Sequence, residues 1–316
     1  MKRIATYTAL AFLLLQCQKE VKIDIPGFEE QLVIDGRIET NMPPLVLLSR
    51  SKDIYAPTDL SAYLNGFVSG AVVTVSDGTT TEQLDEICSD NLPPGAEVIA
   101  AELFGVPVSE LANYHICAYT SLNPAIWGQV GKTYALTVSY DGKTYTSETR
   151  ILPPVPLVNT FWKHDGNLLN YGYSWATLSD PGSTYDAYRW DVKRISHNPD
   201  GSVKDLGFMP TYNPVFDDQF FNGLTFEFFF ENPMSYEDES VAGEYKGYYE
   251  LGDTVVIKFS KMDKNVYEFL EKKYVQVNSG GSPFASPSNI PSNISGGALG
   301  VWAGYSPSFD TLVCIE

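Results

Sequence analysis

Alternation between apolar and polar positions runs through most of this chain, and it predicts strands. The clearest case is TYALTVSYDGKTYTSETR, residues 133–150. There Tyr134, Leu136, Val138 and Tyr140 share one face, and Asp141-Gly142 supplies a two-residue type I′ turn. Thr144, Thr146 and Thr149 then fit a returning, partly exposed strand. QLVIDGRIE, PPLVLLSRS and AVVTVSDG precede it as further strand-like runs. Short strands at this spacing predict a first domain over 31–152, an antiparallel sandwich of immunoglobulin-like or prealbumin-like kind. The segment 89–116 breaks the alternation and reads as two short helical pieces inserted before the final hairpin.

ILPPVPLV interrupts the pattern, because Pro153, Pro154 and Pro156 cannot donate to a central ladder. We read 153–157 as a connector and 158–316 as a second β-rich, sandwich-like domain. Its predicted strands are TFWKHDG, YGYSWATLSD, YRWDVKRI, LTFEFFFE, DTVVIKFSKM, ALGVWAGYS and a terminal FDTLVCIE. Asp165-Gly166, Asp200-Gly201 and Asn222-Gly223 mark turns. DKNVYEFLEKKYVQV predicts one amphipathic helix. Asp263 is its N-cap, Val266, Phe269 and Leu270 share a face, and Glu268 and Lys272 are spaced for an i,i+4 pair. The class is mainly β.

The first residues follow a different rule. Lys2 and Arg3 precede the apolar run 9–15, which is too short to span a bilayer and suits a secretory leader. The run stops at Cys17, with Leu14 and Leu15 just before it and Gln16, an unusual residue for that place, directly before the cut. This predicts a lipoprotein signal peptide over 1–16, a lipidated Cys17 and a tether over 17–30; the alternative is a secreted protein with Cys17 in the discarded leader. Gln18-Lys19-Glu20 resembles the short signals that export lipoproteins to the outer face of the outer membrane.

Charge narrows the partners. The chain has 21 basic and 39 acidic residues; loss of Lys2 and Arg3 with the leader takes the net charge from −18 to −20. Such acidity repels phosphate backbones, so nucleic acid is excluded as a partner, and it makes lipid the sole attachment to an anionic membrane. In an oxidising compartment Cys88 and Cys117 are natural disulfide partners, worth roughly 3–4 kcal/mol for a loop of about 30 residues. Two buried free thiols are the alternative, and Cys314 is left unpaired.

Catalytic chemistry is hard to find. His115, His164 and His197 make no metal-ligand spacing, and no GxSxG, HExxH or CxxC occurs. No catalytic residue, metal site or cofactor is assigned. Acids gather at Asp85/Glu86/Asp90, Asp217/Asp218 and Glu237/Asp238/Glu239, which solvated loops explain, although paired acids could also cleave glycosides or collect calcium. Aromatics close to acids could stack on sugars or peptide side chains. The candidates for binding are Trp127, Asp217, Asp218, Phe220, Phe221, Trp302 and Tyr305, with Trp162 and Trp175 also weighed; a β-core filled with aromatics is the competing reading of each ring. PSNIPSNISGG could be a contact loop or packing over the second sheet.

GGSPFASPSNIPSNISGGALGVWAGYSPSFDTL closely resembles the C-terminal signature of the lipoprotein family labelled domain of unknown function 4249. LVIDGRIE, VVTVSDG, LNPAIWGQVGKTYALTVSYDGKTY, PPVPL, FDDQFFNG and GDTVVIKF agree along the rest of the chain. The resemblance implies an outer-membrane lipoprotein facing the cell exterior, accompanying a TonB-dependent receptor, with no catalytic residues to transfer. The expectation is therefore a non-enzymatic accessory binding component. The alternatives are a stand-alone glycan-binding or adhesive module, and a carbohydrate-active enzyme using Asp217 or Asp218; a glycan or a peptide is the expected ligand.

Overall fold

The computed structural model describes residues 28–52, 64–279 and 289–315. The chain divides into two units, Met1–Glu30 and Gln31–Glu316, and only the second carries described strands and helices. Cys17, the tether as far as residue 27 and residues 280–288 of the Gly/Ser/Pro-rich loop lie outside the described residues.

The architecture is mainly β and sandwich-like. Sixteen described strands, numbered along the chain, form three sheets. The largest has eight strands, in the order β12 (Met209–Asp217), β11 (Ala187–Arg194), β15 (Thr254–Met262), β16 (Leu299–Val313), β1 (Leu32–Glu39), β2 (Leu45–Arg50), β6 (Cys117–Thr120) and β5 (Asp85–Cys88). Strands from both sides of the 153–157 connector thus share one sheet. They join where β1 and β16 run parallel, from Val33 against Leu299 to Glu39 against Tyr305.

Two smaller sheets cover one face of the large one. The first is β4 (Thr81–Gln83), β3 (Val72–Ser76), β7 (Thr133–Tyr140) and β8 (Lys143–Arg150). The second has β10 (Leu168–Ser179) paired with β9 (Asn159–Asp165), β13 (Thr225–Phe230) and β14 (Tyr249–Glu250). Under the first lies a core of Ile34, Ile38, Val46, Leu48, Val73, Val75, Leu136, Val138 and Trp302. Under the second, Tyr188, Trp190, Val255, Ile257 and Phe259 meet Ala176, Leu178, Phe226, Phe228 and Phe230.

The opposite face of the large sheet is covered in part by α2 (Lys264–Ser279), which places Val266 and Leu270 on Met262, Val301, Ala303 and Tyr305. Asp263 caps it, its Oδ1 accepting from the Val266 N–H at 3.0 Å, as the sequence predicts. Glu268 takes Lys264 as its partner at 3.7 Å instead of Lys272, which lies 3.3 Å from Glu271.

Local chemistry explains the joints. Asp141 and Gly142 both have positive φ, 48° and 71°, as a type I′ turn requires. Gly36 is needed because a Cβ there would come within 2.7 Å of the Trp302 ring. The expected strands ALGVWAGYS and FDTLVCIE are one strand, β16, since Pro307 at its middle does not interrupt the pairing with β15. β12 was missed because its sequence, MPTYNPVFD, carries two prolines; it survives at the sheet edge, where a missing N–H costs no ladder bond.

Candidate functional site

Cys88 and Cys117 form a disulfide at the paired ends of β5 and β6. It closes the insertion that holds α1 (Glu97–Phe104) and a 3₁₀ turn over Val108–Asn113, whose own small core is Leu64, Ala100, Ala101, Val106, Leu111 and Ile116. His115 serves this joint: Nδ1 lies 2.9 Å from Asp90 and Nε2 lies 3.4 Å from the Cys117 sulfur. Cys314 is buried and free, its thiol pushed up to about 12 by burial.

The predicted binding residues separate by position. Trp302 is fully buried, and its Nε1–H donates to the Tyr134 carbonyl at 2.9 Å, so it is a core residue. Tyr305 is also buried, under the Arg189 guanidinium at 5.7 Å. Trp127 is half-buried against the first core and donates to the Ser121 carbonyl at 3.2 Å. Phe221 packs on Phe226 at 4.7 Å, and Trp162 packs against the second core. Phe220 alone of the predicted set stands clear, 89% exposed at the end of the Asp218–Phe220 turn. Trp175 lies half-buried on the outer face of the second small sheet.

Asp217 accepts from the Tyr185 hydroxyl at 3.1 Å, while Asp218 is buried beside Asp180 and Asp186. One carboxylate oxygen from each of the latter three lies within 4.8 Å of the others. Asp180 accepts from the Tyr188 hydroxyl at 2.6 Å and the Gly223 N–H at 3.0 Å. Asp218 accepts from the Asp186 N–H at 3.0 Å, and Asp186 pairs with the buried Lys261. Burial holds the Asp218 carboxyl above its ordinary pKa, and the Asp180 and Asp186 charges add to this. These bonds tie the 217–224 segment to the start of β11. Asp218 thus faces inward, and both acids are engaged in hydrogen bonds.

A polar groove of about 700 Å³ opens between the β7–β8 hairpin, the start of α2 and residues 291–295. Ser147, Ser292 and Asn293 are spent on structure within it. Ser147 donates to the Asn293 carbonyl at 2.8 Å, Ser292 donates to the Gly300 carbonyl at 2.8 Å, and the Asn293 amide pairs with both backbone groups of Trp302. The described part of PSNIPSNISGG is therefore packing over the sheet. Thr137, Thr146, Glu148, Asn265, Glu268 and Ser295 add to the polar lining, beside Ala135, Leu136 and Pro291. Hydroxyls, an amide and two carboxylates can hold a small polar solute.

Nearly all of β16, its Asn293 clamp and the β7–β8 hairpin as far as Tyr145 fall within the stretches that carry the family resemblance. The family described as Domain of unknown function (DUF4249) matches residues 18–309. The chain belongs to this family. The matched span of the DUF4249 chain includes all three sheets, the disulfide-closed insertion and the groove. No curated protein matches it.

Proposed function

We propose that this DUF4249 protein is a non-catalytic lipoprotein, held in the outer membrane through Cys17 and facing the cell exterior, that acts as an accessory binding component beside a TonB-dependent receptor. The observation that carries this reading is the leader itself, an apolar run ending at Cys17 and followed at once by charge. Two acyl chains on that cysteine would anchor firmly, at about 0.8 kcal/mol per buried CH₂. None of the described helices is long and apolar enough to cross a membrane.

The test is metabolic labelling with an alkyne palmitate. The wild-type chain should take up label and fractionate with outer membrane, and Cys17→Ser should lose both; an unlabelled wild-type chain overturns the anchor. Affinity capture from solubilised outer membrane should recover a barrel receptor, and recovery of none overturns the partnership. A second reading, a stand-alone glycan-binding module, is favoured by the aromatic outer face of the β10 sheet.

A further inference from the structure

That outer face carries a row of rings which the core does not use. The strand registers place Phe161, Trp175 and Phe229 on one rung across β9, β10 and β13, with ring centroids 6.1 and 4.9 Å apart. From Phe229 the row turns along β10: Tyr173 lies 4.7 Å from it, Tyr248 lies 4.8 Å from Tyr173, and Tyr171 lies 6.5 Å from Tyr248. Gly172, Ser174, Ala176 and Leu178 of β10 are buried, whereas Tyr171, Tyr173 and Trp175 keep solvent contact and Phe229 is 43% exposed. Cross-strand aromatic pairs do steady a sheet. A connected row reaching over three strands exceeds that need; Phe229 is exposed, Phe161, Tyr173 and Trp175 beside it are half-buried, and clustered aromatic surface that keeps solvent contact marks a contact site.

The surroundings say which contact. Lys163 sits 5.2 Å over the Trp175 ring, Tyr248 donates to Asp165, Tyr236 donates to Glu231, and Glu227 is exposed on the same strand as Phe229. Phenol hydroxyls and carboxylates can exchange hydrogen bonds with a polyol while the rings cover its C–H faces. A chain at −18 repels a polyanion. Strand spacing makes the row about 10 Å across and, from Trp175 to Tyr171, about 13 Å along β10, which suits a stretch of polymer better than one monosaccharide.

We propose that the Phe161–Trp175–Phe229–Tyr173 row on the outer face of the β10 sheet is a binding strip for a neutral polysaccharide. This deepens the binding reading above by naming a ligand class, and it does not depend on the lipid anchor.

The experiment is native affinity electrophoresis of the full-length chain in mild detergent, through gels containing hydroxyethylcellulose, xylan or galactomannan, with polygalacturonate as the acidic control. At least one neutral polymer should retard the protein and polygalacturonate should not. Trp175→Ala combined with Phe229→Ser should weaken retardation tenfold or more with an unchanged near-ultraviolet circular dichroism spectrum, and Phe220→Ala should not weaken it. If the double variant misfolds, Phe229→Ser alone decides, since that ring is already exposed. Absence of retardation by all three neutral polymers overturns the proposal, as does retardation untouched by these variants or self-association through the strip in its place. Cys17→Ser should leave retardation intact, so failure of the anchor and failure of the strip are read separately.

Discussion

The two small sheets cover the same face of the same large sheet, yet they turn opposite surfaces to solvent. Outward positions on β8 are Thr144, Thr146, Glu148 and Arg150, a hydroxyl and charge surface over a mainly aliphatic core. Outward positions on β9, β10 and β13 include Phe161, Tyr173, Trp175 and Phe229 beside polar Asn159, Lys163, Thr177 and Glu227, over a core that is itself rich in Phe and Trp. The first sheet follows the rule that water-facing positions are polar. The second departs from it, and the departure locates the contact surface.

The comparison is broken most severely by exchanging ring for methyl on each side of it. Trp302→Ala, under the first sheet, should cost about 3–5 kcal/mol in urea unfolding, because it empties a fully buried site and orphans the Tyr134 carbonyl. Trp175→Ala, on the second sheet's outer face, should cost under about 1 kcal/mol, the worth of a cross-strand pair. Equal losses would mean that the strip is core. Next in size, replacing both Cys88 and Cys117 by Ser should cost about 2–4 kcal/mol. Hydrogen exchange should show the opening confined to 89–116.

Two glycines sharpen the contrast further. A Cβ on Gly36 meets the Trp302 ring at 2.7 Å, so Gly36→Ala should cost about 1–3 kcal/mol as the core shifts. A Cβ on Gly172 meets the Lys163 carbonyl at 2.2 Å, a backbone group that cannot swing away. Gly172→Ala should therefore be the worse of the two by thermal melting, and should weaken β9–β10 pairing.

The smallest effect is in acid. Lys132 and the N–H groups of Thr79 and Thr80 hold Asp77, beside the first sheet, down from 3.8 to about 2. Its stabilisation is complete above pH 3.8 and is lost as pH falls toward 2. Asp218 is raised by burial, so its contribution has the opposite sign: it favours folding below its unfolded pKa and is lost as pH rises through its folded one. Asp77→Asn should flatten the acid limb of stability, and Asp218→Asn should hold or raise the melting temperature at pH 7.

Particular residues show what the sequence made legible. Asp141-Gly142, the Asp263 cap and the turns at Gly166, Gly201 and Gly223 are local chemistry, and each appears where it was expected. The pairing of β1 with β16 depends on residues far apart in the chain, and nothing local announces it. The site was harder. Period-two alternation in YGYSWAT does separate Tyr171, Tyr173 and Trp175 from Gly172, Ser174 and Ala176, but it cannot say which set faces water. The usual assumption puts the rings inside; here the small residues are inside, and Gly172 lies tight against the β9 backbone. Trp302 and Tyr305 mislead for the same reason, being aromatics whose burial only the tertiary fold decides.

The parallel junction of β1 with β16 has a consequence for how the chain matures. The strand made first waits for nearly the last one before the centre of the large sheet can close, a connection of very high sequence separation and correspondingly slow formation. A ribosome-bound chain therefore stays open at its centre until β16 has emerged.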